Sequence, residues 1–304
     1  MFPNIPRRLS PSRRGTFLQC EQLYDYRYNQ HLEPVSYARP LVFGSMGHLF
    51  LQYFYSGSTP EAAEAEIMEK VHDADWDAFS LQAFETDLHA LRGMAQAYAS
   101  HYSKDLENYS VCGVEQHIER PPPPGHFFAD HGVLDLVFVI KKNDQLWVCD
   151  HKFLSQAQEG LIRKLPMDTQ VQTYIRLAQH HYQRPVTGVL YNIILKSRKR
   201  LKKNQTLGQY QEELYTDYVT DPQKFFLREW VKVTPKHFRD FDKNQRELGQ
   251  RMIAAHTSNT WVRNIKHCDN YGSCPFLNLC LDGEEAMHFY REKERPNAFD
   301  EQKV

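Results

Sequence analysis

Residues 133–140 read VLDLVFVI, an apolar run broken by one acid, Asp135. A run this apolar predicts a strand covered on both faces of a sheet. The polar residues 141–144, with Asn143 and Asp144 at the tip, predict a turn into a second strand over 145–153. Alternation along that strand puts Asp150 and Lys152 on one face and Cys149 and His151 on the other. Paired as a hairpin, the two strands bring Asp135, Asp150 and Lys152 together at one end of a sheet.

The rest of the pattern supplies more strands and a set of helices. Strands are predicted over 111–119, over the buried stretch VTGVLYNIIL at 186–195, and at an edge over 225–233. Helices are predicted from Ser10 or Ser12 through Tyr28, over 44–55, from Pro60 with Thr59 as its cap, over 81–102, over 170–182, and from Pro235 to His256. Phe17, Tyr24 and Tyr28 recur at helical spacing and read as packing. Residues 1–9 read as loose, 34–40 as a linker, 153–166 as a polar connection, 201–222 as a mobile loop or insertion, and the end of the charged stretch that follows Asp282 as poorly ordered. Strands alternating with helices predict an α/β fold, a mixed sheet flanked by helices, as a single domain over 1–304.

Three positions carry candidate chemistry beyond the hairpin. A carboxylate buried without a partner costs several kcal/mol or takes up a proton, so Asp135 calls for a cation. Two hard carboxylates, Asp135 and Asp150, suit Mg²⁺ or Mn²⁺, and the Lys152 ammonium suits a water to be oriented or a phosphate charge to be stabilised. His48, on the helix led by Gly44, offers an imidazole to the same ion. Gln170 and Tyr174, four residues apart, share a helical face that looks into the site. Glu115 reads as a solvent-facing strand residue, in preference to an acid that helps the site. Taken singly, a solvated hairpin and a hydrogen-bonded core acid explain the same residues.

Their order is more specific than any one of them. A helix with Gly44-X-X-X-His48, a strand with Gly132-X-X-Asp135, then Asp150-X-Lys152, then a helix with Gln170-X-X-X-Tyr174 resembles the RecB-like branch of the PD-(D/E)XK nuclease superfamily, which includes AddB-type and CRISPR-associated exonucleases. The resemblance spans about half the chain. It implies a restriction-endonuclease-like core and His48, Asp135 and Asp150 as ligands of Mg or Mn. It also implies Lys152 as the catalytic lysine, and Gln170 with Tyr174 in support. Many relatives carry Glu where Asp150 stands. The implied activity is metal-dependent hydrolysis of DNA, by preference from single-stranded ends. A non-cutting nucleic-acid-binding or assembly subunit and a restriction-type endonuclease are the alternatives.

Composition changes this picture in two places. The net charge of the 304 residues is −1, which does not advertise a nucleic-acid binder, yet residues 196–203 read KSRKRLKK and Arg7, Arg8, Arg13 and Arg14 crowd the N-terminus. Beside a nuclease site, Lys196, Arg198, Lys199 and Arg200 suit phosphate contacts that do not read sequence. Cysteine is the second: Cys112 and Cys149 lie in apolar strands and read as small buried hydrophobes, whereas Cys268, Cys274 and Cys280 form a tight set with Cys20 as the fourth.

That layout, 10–30 with 261–285, resembles the iron-sulfur clasp of AddB-type and CRISPR-associated relatives, in which a [4Fe-4S] cluster ties the termini. Thiolate-only ligation also fits zinc, with His267 as a substitute ligand. The first gap of the triplet is longer than the family's commonest form, and 286–304 read as a flexible tail. No apolar run approaches the ~18 residues of a membrane helix. An intracellular protein, cytoplasmic or nucleoid-associated, is expected, with DNA and recombination or repair proteins as partners.

Overall fold

The two apolar stretches form the hairpin their pattern predicts, and it sits inside a larger sheet. The computed structural model describes residues 5–35, 39–72, 78–156, 159–269 and 273–293. Its strands are β1 (Arg8–Leu9), β2 (Leu32–Pro34), β3 (Tyr109–Arg120), β4 (Ala129–Ile140), β5 (Gln145–Leu154), β6 (Val186–Leu195), β7 (Phe226–Val231) and β8 (Tyr290–Glu292). The main sheet runs β1-β4-β5-β6-β7, with β3 also pairing β4. It is mixed: β3 and β5 flank β4 antiparallel, β5 and β6 are parallel, and β7 closes the edge antiparallel to β6. β2 and β8 form a separate antiparallel pair.

A parallel β5–β6 pair needs a crossover, and the Thr169–Tyr182 helix provides it. Asp168 caps that helix by accepting the N–H groups of Gln170 and Val171. Its Val171, Ile175, Leu177 and Ala178 pack with Val137, Val148, Val189 and Ile193 on one face of the sheet. On the other face Leu136, Phe138, Trp147, Cys149, Leu190 and Ile194 meet the helices Arg39–Tyr55, Ala78–His101 and Leu207–Thr220. Each Val, Leu, Ile and Phe among them contributes about 1.5–3 kcal/mol by leaving water. Both faces being covered explains why the central strands read as continuous apolar runs.

Several expectations need correction. Residues 1–9 are not all loose, because Arg8 and Leu9 add a short parallel strand to β4. The helix from Ser10 breaks at Cys20, which is extended at φ −164°, and resumes as Glu21–Tyr24 and a π turn, Asp25–Asn29. The stretch 201–222 holds the Leu207–Thr220 helix, started by a capping box of Thr206 and Gln209 and anchored by buried Tyr210, Leu214 and Tyr218. Those three lie four residues apart, so one stripe of the helix is apolar. Gly93 lets the helix approach, since a Cβ there would press on the backbone of Gln211. The connection after β5 contains the helix Glu159–Lys164 and a 3₁₀ turn, Leu165–Met167. The first part of the flexible tail expected over 286–304 is structured: a 3₁₀ segment, Gly283–Phe289, leads into β8. Of the expected tail, residues 294–304 lie outside the described residues.

β2–β8 pairing and a small core of Leu23, Leu32, Phe276, Leu279, Ala286 and Tyr290 join the two ends of the chain. Phe17 and Tyr24 are buried in a neighbouring core with Leu248 and Met252, as packing rather than as exposed rings. Among the described residues, no helix is long and apolar enough to cross a membrane.

Candidate active site

The site forms where the hairpin comes apart. β4 and β5 pair from Ile140↔Gln145 down to Leu136↔Cys149 and no further. Beyond that point the Asp135 carboxylate accepts the main-chain N–H of His151 at 2.7 Å, taking over where a strand partner would. Side-chain alternation in β4 slips at the same residue. Leu136 and Phe138 face the three-helix side, while both Leu134 and Val137 face the Thr169–Tyr182 helix.

The partner strand is irregular there too. Glu115 lies between Val114, paired with Leu136, and Gln116, paired with Leu134, and its φ is +45°. A left-handed conformation is costly for a residue with a Cβ. Here it accompanies a carboxylate 3.7 Å from the imidazole of His48, whose Nδ1 also lies 3.5 Å from Asp135. Ligand atoms of His48, Glu115 and Asp135 all fall within 4.8 Å of one another. Gly47 lets His48 come this close, because a Cβ at that position would collide with the ring of Phe153 on β5, whereas nothing crowds Gly44.

Asp150 and Lys152 stand on the opposite side of the opening. The ammonium lies 3.0 and 2.9 Å from the two oxygens of Asp150 and donates to Gln170 Oε1 at 3.1 Å, while Gln170 donates to the Tyr174 hydroxyl at 2.8 Å. Asp150 Oδ2 is close to the ammonium but meets no donor in hydrogen-bonding geometry, so one buried carboxylate oxygen retains acceptor capacity.

Burial dominates the electrostatics. It pushes the Asp135 carboxyl up to about 7; His48 and Lys152 pull it down, while Asp150 and Glu115 add to the rise. Burial raises Asp150 as well, against the pull of Lys152. For His48, burial disfavours the imidazolium but Asp135 and Glu115 outweigh it, so its pKa ends above the ordinary value. Lys152 is likewise disfavoured by burial and restored above its usual range, chiefly by Asp150. These are acids without enough positive charge around them, the electrostatic signature of a cation site.

The fold thus brings together all six residues expected at this place: His48, Asp135, Asp150, Lys152, Gln170 and Tyr174. It divides them into a His48–Asp135 side and an Asp150–Lys152–Gln170–Tyr174 side. It also adds Glu115, which sequence reading put in solvent. The signal available for Glu115 was its place on the neighbouring strand two residues after Gly113, where the β3–β4 register shifts; the turn of its backbone was not readable.

The basic run leaves the sheet at this same end, since the Lys196 N–H bonds to the carbonyl of Leu154 on β5. Its members differ. Lys196 lies 3.8 Å over the Phe43 ring, Lys199 pairs with Asp217 at 3.1 Å, and Arg198 and Arg200 are exposed. Cys112 is exposed beside the β3 register shift, not a buried hydrophobe, whereas Cys149 is fully buried. Cys20, Cys268, Cys274 and Cys280 are all partly buried at the joined termini, near enough that the other three help to raise the Cys274 thiol, which burial raises most. No three of their sulfurs come within 4.8 Å of one another.

A mixed sheet whose hairpin opens around buried acids and an ammonium is the frame of a metal-assisted hydrolase. Comparison makes the class particular: the chain belongs to the PD-(D/E)XK nuclease superfamily, whose family model matches residues 8–281. Nucleases of this superfamily are hydrolases of nucleic acid that use divalent metals. Among solved structures, the chain is similar to a "Putative exonuclease" from Eubacterium rectale, with 12% identity over 96% of this chain and 91% of that one and a TM-score of 0.50. At that identity the likeness speaks for the fold alone. No curated protein matches the chain.

Proposed function

We propose that the protein is a Mg²⁺- or Mn²⁺-dependent deoxyribonuclease of the RecB-like branch, an exonuclease working from single-stranded ends. The observation that carries the reading is the group of His48, Glu115 and Asp135 within 4.8 Å, with Asp150 and Lys152 across the same opening. The donor set fits the ion: carboxylate oxygens and one imidazole suit a hard divalent cation, Asp135 is held up to about 7 by burial, and Asp150 Oδ2 has unused acceptor capacity. His48, Asp135 and Asp150 would hold it, with Glu115 available as a further oxygen donor. When bound, such an ion lowers the pKa of a coordinated water and neutralises phosphate charge.

The chain's own residues do the rest. Lys152, steered by Asp150 and Gln170, presents its ammonium to the attacking water or to the charge developing on the phosphate. Tyr174 holds Gln170 in place and so keeps the ammonium from swinging to solvent. Arg198 and Arg200, exposed where β6 leaves the sheet, with Lys196 and Lys199 beside them, suit the phosphates of a strand entering the opening. Of the basic four, Lys199 has the weakest claim because Asp217 already engages it.

The termini support a second element of the reading. Four cysteines with no oxygen or nitrogen ligand among them suit soft metal. Tetrahedral zinc would hold its sulfurs ~3.8 Å apart, from a Zn–S distance of ~2.3 Å. A [4Fe-4S] cubane, the cluster this layout resembles, holds them wider.

Incubation with labelled DNA and Mn²⁺ tests the function. Linear single strands should shorten progressively from their ends, and Lys152→Ala should lower the rate about 10²–10³-fold with its circular dichroism unchanged. Equal cleavage by that variant removes the proposed chemistry; discrete fragments from circular duplex would make it an endonuclease.

A further inference from the structure

On the sheet face turned toward the Arg39–Tyr55 and Ala78–His101 helices, directly behind the acids, the fold buries a network of polar groups. Arg228 on β7 donates to both oxygens of Asp105 at 3.0 and 2.5 Å, to the hydroxyls of Tyr55 and Tyr98 at 2.9 and 3.1 Å, and through Nε to Asn192 Oδ1 at 3.4 Å. Tyr55 donates to Asp105 at 2.8 Å and lies 2.9 Å from the Tyr98 hydroxyl. Asn192, fully buried on β6, donates through Nδ2 to Tyr98 at 2.9 Å and lies 2.8 Å from His151 Nδ1 by the same atom.

The direction of these bonds is fixed by chemistry. A guanidinium only donates, so the Asn192 oxygen must face Arg228 and its NH₂ must face His151. His151 Nδ1 is therefore an acceptor, and the ring carries its proton on Nε2. Tyr55 stacks against the imidazole, centroids 5.7 Å apart at 14°, so the ring is held in position as well as in tautomer. The main-chain N–H of this same residue is the one bonded to Asp135. The ring lies on the three-helix side with Cys149, so it stands behind the Asp150–Lys152 pair while its backbone supports Asp135.

Five buried polar groups and the partly buried Arg228 guanidinium cost desolvation that an apolar cluster would not, so their use needs a reason. We propose that Arg228, Asn192 and His151 are positioning residues for the acid site: the network locks the His151 ring, and the locked residue holds its N–H on Asp135 and so aims that carboxylate at the cation. The proposal rests on reading His48, Glu115 and Asp135 as a metal site. Its reach is long in the chain, since Arg228 belongs to the edge strand and touches none of the acids of that site.

Amide hydrogen exchange by NMR on the full chain, with Mn²⁺ affinity from the paramagnetic signal of free Mn²⁺, tests it. Asn192→Leu removes the donor to His151 at similar size, and Asn192→Asp keeps the shape while demanding the other tautomer. At least one of the two should fold like the parent. In it the His151 amide should exchange about 10-fold faster relative to the Val148 amide on the same strand, Mn²⁺ affinity should fall about 10-fold, and kcat should fall while KM for DNA holds. Exchange of His151 and Val148 in step would overturn the proposal. So would faster exchange of His151 with Mn²⁺ affinity and kcat within about two-fold of the parent. A parent protein that binds no Mn²⁺ would remove the metal reading and, with it, the use assigned to the network; loss of protection confined to His151 would then still establish the lock itself.

Discussion

The acid end of the hairpin and the joined termini each gather side chains of types that can bind metal, but they do so in opposite ways. At the hairpin, sheet pairing fixes the backbone to within a residue of the site, and Asp135 and Asp150 are buried and already engaged by His151 and Lys152. At the termini the four cysteines are only partly buried, and Cys20 Sγ accepts the Asn264 N–H at 3.4 Å and donates to the Val262 carbonyl at 3.9 Å. The first region is organised before any ion arrives, at the cost of burying charge. The second is joined by a small apolar core and by contacts such as Glu21 with Arg251 at 2.9 Å. Preorganisation by a sheet and closure by a ligand are two routes to a metal site, and the two regions differ as those routes do.

The sharpest way to break that contrast is at Glu115. If its left-handed backbone serves to deliver a carboxylate, Glu115→Gln should weaken Mn²⁺ binding about 10-fold in calorimetry, with the fold intact. Unchanged affinity would make the strained residue a passive consequence of the register shift.

Next in size is the response to pH. In the metal-free fold Asp135 binds its proton up to about 7, more tightly than an unfolded carboxylate does, so this group's contribution to stability is present at low pH and is lost as pH rises through about 7. The raised His48 must also give up its proton to bind an ion, which acts in the same direction. The increase in Tm on adding Mn²⁺ should therefore grow between about pH 6 and pH 8, and equal increments across that range would contradict the buried-acid account.

The smallest effect on cleavage is expected at the termini. Cys274→Ser should bleach a brown anaerobic preparation and speed hydrogen exchange in residues 273–293, while leaving single-turnover DNA cleavage within about two-fold. A colourless parent holding stoichiometric zinc would transfer the clasp to the other metal, and a collapse of cleavage in the variant would show that the two regions are one functional unit.

Much of this was readable along the chain, for reasons that differ by element. β6 was found at its true ends because a strand covered on both faces is apolar without interruption. The shared face of Asp150 and Lys152 follows from the period of two, which no packing can alter. The Leu207–Thr220 helix was missed although its capping box and four-residue aromatic spacing are local, because its polar surround outweighed them. Glu115 was missed for a different reason. A single positive φ re-aims a side chain without leaving a trace in composition, and register across β3 and β4 is a property of two strands together.

By itself, the sequence determined that a hairpin would carry Asp135, Asp150 and Lys152, that helices would bear His48 and Gln170, and that four cysteines would lie near the two ends of the chain. Tertiary structure alone decided that the hairpin opens at Asp135, that Glu115 turns inward to join His48, and that the Asp150–Lys152 pair stands across the gap from them. It also decided that Arg228, from the far edge of the sheet, stands behind them all. Periodicity is written into neighbouring residues, whereas the meeting of distant side chains depends on how strands are paired and where that pairing stops.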